Sequence, residues 1–175
     1  MGRYEDADNC YTGALVIYRG LSEVADCIDR AKTLSNHGLN HMAMGQYDDA
    51  AQCCTEALAI YRGLSEVADC VDIAKTLSNQ GLICFHMKQH NNAADCYTDA
   101  LTIYRETSQN TASIDFAKLL CNQGCNFHQM RQYNNALQFY IEALAIYREL
   151  SEGAASVDVA NAMRRQGEIC QVMNQ

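Results

Sequence analysis

Three side chains in the second half of the chain have the spacing of metal ligands. Cys121, Cys125 and His128 lie at positions i, i+4 and i+7, so a helix would place all three on one face. Two thiolates and an imidazole suit a tetrahedral zinc ion. No fourth ligand is evident, however, and a thiol also packs as a small hydrophobe. The corresponding positions 43 residues earlier hold the ordinary packing residues Ser78, Leu82 and Phe85. Packing is the favoured interpretation, and we expect no metal and no other cofactor.

No arrangement of residues is typical of a catalytic site. The sequence has no phosphate-binding glycine loop, no nucleophile elbow and no two-histidine metalloprotease helix of the HExxH type. Its five His residues fall at different phases of a 43-residue internal repeat. We therefore predict that the chain is not an enzyme.

Composition and charge narrow the class of protein and the class of partner. The 175 residues are 49% apolar and include 10 Gly and no Pro, which favours helices over a sandwich or barrel. A net charge of -8 repels phosphate backbones and anionic lipid, so we expect neither nucleic acid nor membrane as a partner. The N-terminal residues lack the pattern of a secretory signal, and the ten Cys fall within helical patterns. We expect a cytoplasmic protein with reduced thiols.

An internal repeat of 43 residues dominates the sequence. The segment Ala14–Arg19 (ALVIYR) returns three times at this interval, and no insertion interrupts the copies. Within one unit, apolar residues follow helical spacing over Ile28–Met44 and again over Tyr47–Tyr61, with a short turn between them. Short turns make antiparallel neighbours, so each unit is predicted to be a helix hairpin that buries its apolar face by stacking. We expect one array over residues 1–175, with units at about 2–44, 45–87, 88–130 and 131–173.

One part of the chain resembles a known repeat family. The run Asn79–Ala93, followed by Tyr97 and Ala100–Leu101, is similar to the tetratricopeptide repeat signature. The positions that carry the Gly, Ala, aromatic, Ala pattern of that family are Gly81, Ala93, Tyr97 and Ala100. The segment Val71–Asn79 and the long period resemble the repeats of kinesin light chains. The resemblance implies an all-α, right-handed superhelical solenoid that acts in protein–protein interaction without catalysis.

The resemblance also implies a concave groove lined by the first helix of each hairpin. Lys recurs at one groove position and Asn recurs one helical turn later, at Lys32, Lys75 and Lys118 and at Asn36, Asn79 and Asn122. Such donors would hold the carbonyls and carboxylates of an extended peptide. Alternatively, each Lys pairs with the Asp three residues before it, and each Asn bonds a neighbouring helix. The remaining predicted groove residues are Leu82, Phe85, His86 and His128.

Both ends of the sequence keep the repeat pattern. The chain begins with the second helix of a hairpin and ends with the first helix of the next. Either it is part of a longer array whose groove binds a protein or peptide, or copies stack head to tail into a helical filament. We favour the scaffold and keep the self-assembling filament as the alternative. Stacking would use the residues expected to face outward at the two ends: Tyr4, Ala7, Tyr11, Met163, Ile169 and Cys170.

Overall fold

The computed structural model describes residues 2–21, 23–64, 69–107, 113–150 and 157–173. Within these ranges the chain forms eight α-helices and no strand, which confirms the all-helical prediction. The helices are α1 (Gly2–Arg19), α2 (Val24–Ala43), α3 (Tyr47–Gly63), α4 (Cys70–His86), α5 (His90–Glu106), α6 (Ile114–Gln129), α7 (Tyr133–Leu150) and α8 (Val157–Met173). None of the helices in these ranges combines the length and apolar character that crossing a bilayer requires.

The chain divides into two compact units, which are residues 1–88 (unit 1, with α1 to α4) and 89–175 (unit 2, with α5 to α8). In unit 1, α1 packs on α2, α2 packs on α3, and α4 contacts both α3 and α2. In unit 2, α6 packs on α5 and α7, and α8 packs on α7. Each helix therefore buries its apolar face chiefly against the helix next to it in sequence.

The turn between α2 and α3 explains where α2 ends. Gly45 adopts a φ of +77°, and its N–H donates to the carbonyl of Met42 at 3.0 Å. The N–H of Gln46 reaches back to the carbonyl of His41 at 2.9 Å. These two bonds satisfy carbonyls that the helix end would leave unpaired. In unit 2, Arg131 occupies the corresponding left-handed position with a φ of 59°.

The core of unit 1 combines small and large apolar side chains. Leu15 of α1, Ala31 and Leu34 of α2, and Ala57 and Tyr61 of α3 form one buried cluster. The alanines bring the helix backbones close together, and each large side chain removed from water contributes about 1.5–3 kcal/mol. The cluster fastens three consecutive helices to one another.

Two helical glycines mark places where helices approach too closely for a side chain. A Cβ on Gly38 would lie 3.0 Å from the carbonyl oxygen of Ala50 and 3.4 Å from Cβ of Cys53. A Cβ on Gly124 would lie 3.1 Å from the ring of Tyr140. Both contacts join the first helix of a hairpin to the second.

The last helix is attached to unit 2 through Ile169. Its side chain is fully buried against Ala136 and Tyr140 of α7. The prediction that Ile169 faces outward is therefore wrong. The residue occupies the repeat position of Ile83, which is also fully buried in unit 1, against Ala50 and Cys54 of α3. An apolar side chain at this position packs on the second helix of the preceding hairpin.

Candidate binding pocket

Helices α6, α7 and α8 surround a concave pocket of about 370 Å³ in unit 2. Helix α6 contributes Lys118 and Asn122, which are both predicted groove residues. Helix α8 contributes Asn161 and Arg165. In each helix the two residues are four apart, so one face of each helix presents them together. These four residues bring one ammonium group, one guanidinium group and two amides to one cavity.

Sequence reasoning missed Asn161 and Arg165. They hold the repeat positions of Lys118 and Asn122, one period later in the chain. The recurrence of Lys and Asn ends at α6, because the same two positions hold other residue types in α8. The signal that could have found them was the position itself, since a groove position that loses Lys can still carry a cation one turn away.

The pocket is positively charged within a chain of net negative charge. Lys118, Arg164 and Arg165 line it, against the single carboxylate of Asp158. Arg164 also forms an ion pair with Glu168. A cationic concavity of this kind attracts carboxylates more strongly than the surrounding acidic surface does.

The other groups that line the pocket are neutral. Burial, and then the neighbouring Cys125, raise the pKa of Tyr140, whose hydroxyl donates to Sγ of Cys125 at 3.1 Å. Burial also raises the pKa of Tyr147, and it raises the pKa of the Cys121 thiol to about 11. The pocket charge therefore comes from its Lys, Arg and Asp side chains.

The structure distributes the candidate ligands Cys121, Cys125 and His128 among packing contacts. Cys121 and Cys125 lie in the pocket wall, and Cys125 accepts the hydrogen bond of Tyr140. The His128 ring lies 5.7 Å from the ring of Tyr133.

Lys32 and Asn79 connect two helices of unit 1. Lys32 Nζ lies 3.0 Å from a carboxylate oxygen of Asp72 on α4, and this bond raises the lysine pKa. The partner is thus Asp72, where the local-pairing alternative named the Asp three residues before Lys32. Asn79 Nδ2 donates to Oγ of Ser35 at 3.0 Å. An exposed ion pair contributes only about 0–1 kcal/mol, so these contacts fix geometry more than stability.

The remaining predicted groove residues of unit 1 differ in exposure. Asn36 and Lys75 are exposed, and Leu82 and Phe85 are half-buried. His86 is exposed, and its ring stacks on Tyr47 with centroids 5.9 Å apart.

The residues predicted for end-to-end contact are placed unequally. Tyr4 of α1 is 50% exposed and Met163 of α8 is 49% exposed. Cys170 is exposed as well. Ala7 and Tyr11 are half-buried, and the Tyr11 ring lies 5.4 Å from His37.

Family models described as tetratricopeptide repeats match residues 29–106 and 117–152, which together form more than half of the chain. The chain is a tetratricopeptide repeat protein. Proteins of this family are generally non-catalytic scaffolds for protein–protein interaction. None of the curated proteins matches the sequence.

Solved structures with the same fold are distant in sequence from this tetratricopeptide repeat chain. BtubC (BKLC) from P. vanneervenii has a TM-score of 0.83 and 21% identity over 97% of this chain, which spans 66% of that protein. A kinesin-light-chain candidate from Podosopora anserina with nearly identical TPR-like repeats has a TM-score of 0.77 and 13% identity, covering 99% of this chain and 80% of that one. MamA has a TM-score of 0.61 and 15% identity, covering 99% and 92%. These likenesses confirm the TPR-like solenoid fold and its similarity to kinesin-light-chain repeats.

Proposed function

We propose that this chain is a scaffold that binds an acidic, extended peptide segment of a partner protein in the pocket of unit 2. The observation that supports the proposal is the meeting of Lys118 and Asn122 of α6 with Asn161 and Arg165 of α8 around one cavity. A cavity of about 370 Å³ is within the range that encloses a small ligand or a few side chains.

The four side chains can recognise different groups of a peptide. The Arg165 guanidinium and the Lys118 ammonium attract a carboxylate, and guanidinium can grip it with two parallel hydrogen bonds. The amides of Asn122 and Asn161 both donate and accept, so each can pair with a peptide backbone group. The ligand that fits is therefore a peptide that presents a carboxylate next to an accessible backbone.

Peptide selection followed by titration tests this proposal. Peptides of random sequence are selected on the purified chain, and the best binder is then titrated against variants by fluorescence anisotropy. We expect acidic peptides to be enriched and Arg165→Gln to weaken binding about tenfold or more, because a hydrogen bond to a charged group contributes about 1.5–3 kcal/mol. Lys118→Gln should also weaken binding and reduce its dependence on salt.

Arg105→Gln is the matched control for these variants. Arg105 is a cation of the same unit, but its guanidinium pairs with Glu142 at 3.1 Å and does not line the pocket. Equal affinity of the chain and Arg165→Gln for every selected peptide would contradict the proposal. Selection that enriches basic peptides would contradict it as well.

A second candidate function is self-assembly, and the observation that favours it is exposed apolar surface on α1 and α8. Val16 and Ile17 of α1 are 63% and 67% exposed, and Met163 and Val172 of α8 are 49% and 40% exposed. The occupant of these faces would be another copy of the chain, α8 of one copy against α1 of the next.

Light scattering over a range of protein concentrations tests self-assembly. We expect the particle mass to grow with concentration and Met163→Glu to prevent this growth, because a charge at a packed apolar contact is unfavourable. Ile141→Glu, at a position that is 50% exposed on α7, serves as the control that leaves growth unchanged. One constant mass at every concentration would exclude this candidate.

A further inference from the structure

Unit 1 contains a cluster of ligand side chains that is separate from the pocket of unit 2. His37 and His41 lie one turn apart on α2, and Cys53 lies on α3. Each offers one ligand atom, and these three atoms lie within 4.8 Å of one another. In the part of the chain that the structure describes, no other group of three or more His, Cys, Asp and Glu side chains meets in this way.

Hydrogen bonds set the tautomers of both imidazoles. His41 Nδ1 lies 2.7 Å from Oε1 of Gln46, an oxygen that only accepts, so Nδ1 carries the proton. The lone pair of that ring is then on Nε2, which lies 3.6 Å from Oδ1 of Asp8. His37 Nε2 donates to Oδ1 of Asp8 at 2.7 Å, which leaves the lone pair of that ring on Nδ1. His37 is buried, with a relative exposure of only 7%, and its Nδ1 has no hydrogen-bond partner.

An unpartnered nitrogen at this depth requires an explanation, because buried polar atoms are almost always paired. Carboxylate–imidazole hydrogen bonds of the kind made by Asp8 are the usual second shell of a metal-bound histidine, and the Gln46 amide acts on His41 in the same manner. In each ring the hydrogen-bonded nitrogen carries the proton, and the other nitrogen keeps the lone pair that can bind a metal ion.

We propose that His37, His41 and Cys53 bind one zinc ion, with Asp8 and Gln46 as the positioning residues of the two imidazoles. Ligand atoms about 2.0–2.3 Å from a tetrahedral zinc ion lie about 3.3–3.8 Å apart, so atoms now within 4.8 Å need to move by about 1 Å. Side-chain rotation supplies a movement of this size. A water molecule or a partner group takes the fourth position.

The local backbone explains why the three residues meet. The turn at Gly45 places Gln46 beside His41, and the missing side chain of Gly38 brings α3 close enough for Cys53 to face α2. The surroundings are also acidic. The carboxylates of Glu56, Asp49 and Asp8 all lie close enough to Cys53 to act on it electrostatically. These negative charges favour a divalent cation, which displaces the thiol proton when it binds.

Titration of the reduced 175-residue chain with Co²⁺, followed by displacement with Zn²⁺, tests the proposal. We expect one equivalent of Co²⁺ to give the visible absorption of a tetrahedral site together with a thiolate-to-cobalt charge-transfer band. Cys53→Ser should abolish the charge-transfer band. Asp8→Asn should weaken Zn²⁺ binding about 10–100-fold, as the loss of a second-shell partner does, and His41→Gln should weaken it further.

Two control variants separate this site from the other thiols. Cys96 holds the repeat position of Cys53 in unit 2, and Cys96→Ser should leave the band unchanged. Cys121→Ser should leave it unchanged too. A band that survives Cys53→Ser, a band lost in Cys121→Ser, or no stoichiometric binding at all would overturn the proposal. Asp8 is only partly buried, so Asp8→Asn keeps the test valid if far-UV circular dichroism shows that a ligand variant is unfolded.

Discussion

Ile169→Ala is expected to lower the free energy of unfolding by about 2–5 kcal/mol, the range for truncating a large buried aliphatic side chain to Ala. Ile169 is fully buried between α8 and the Ala136 and Tyr140 side chains of α7. Its removal leaves a cavity at the main apolar contact that attaches α8. Urea unfolding followed by far-UV circular dichroism measures the loss as a lower midpoint. Ile169→Glu should be more damaging still, because it places an unpaired carboxylate in that contact.

Met163→Ala is the control on the same helix. Met163 is 49% exposed, so its truncation should change stability by no more than about 0.5 kcal/mol, as surface substitutions usually do. Similar midpoints for the two Ala variants would show that Ile169 does not attach α8 to α7.

Gly38→Ala is the second substitution with a large expected effect. The new Cβ would lie 3.0 Å from the carbonyl oxygen of Ala50 and 3.2 Å from Sγ of Cys54. A backbone oxygen cannot rotate away, so α2 and α3 must separate, and overpacking of this kind costs about 1–3 kcal/mol. We expect a lower urea midpoint, since this cost exceeds the gain of about 0.5–1 kcal/mol that Ala brings to a helix interior.

Gly167→Ala provides the matched comparison. Gly167 occupies the repeat position of Gly38 on α8, and a Cβ there would meet nothing within 4 Å. Only the helix-propensity gain remains, so this variant should be more stable by about 0.5–1 kcal/mol. Two shifts of the same sign would contradict the close approach at Gly38.

Most of the fold could be predicted because the same helical spacing of apolar residues recurs in each copy of the repeat. The predicted stretch Tyr47–Tyr61 corresponds to α3 at Tyr47–Gly63, and the predicted stretch Ile28–Met44 corresponds to α2 at Val24–Ala43. The error at Ile169 arose from treating the last helix as an uncovered surface. The buried Ile83 at the same repeat position packs on α3, so this side chain contacts the helix that precedes its own in the chain.

The two sites were harder to predict, for different reasons. Lys118 and Asn122 continue the recurrence of Lys and Asn along the chain. One period later the same two positions hold Asn161 and Arg165, which are different residue types. The cluster of His37, His41 and Cys53 depends on residue types that no other copy of the 43-residue repeat combines. Comparison between repeats treats such residues as exceptions. Only the packing of α3 on α2 shows that they meet.

The order of helix contacts also has a consequence for folding. In unit 1 the α2–α3 hairpin closes over residues 44–46, and the other helices pack mainly on sequence neighbours. Contacts between nearby parts of a chain carry a small loop-closure entropy, and proteins of low contact order fold quickly. The α2–α3 hairpin needs no distant strand or helix to form its own interface. A nascent chain emerging from the ribosome can therefore begin to assemble this hairpin before α4 has been synthesised.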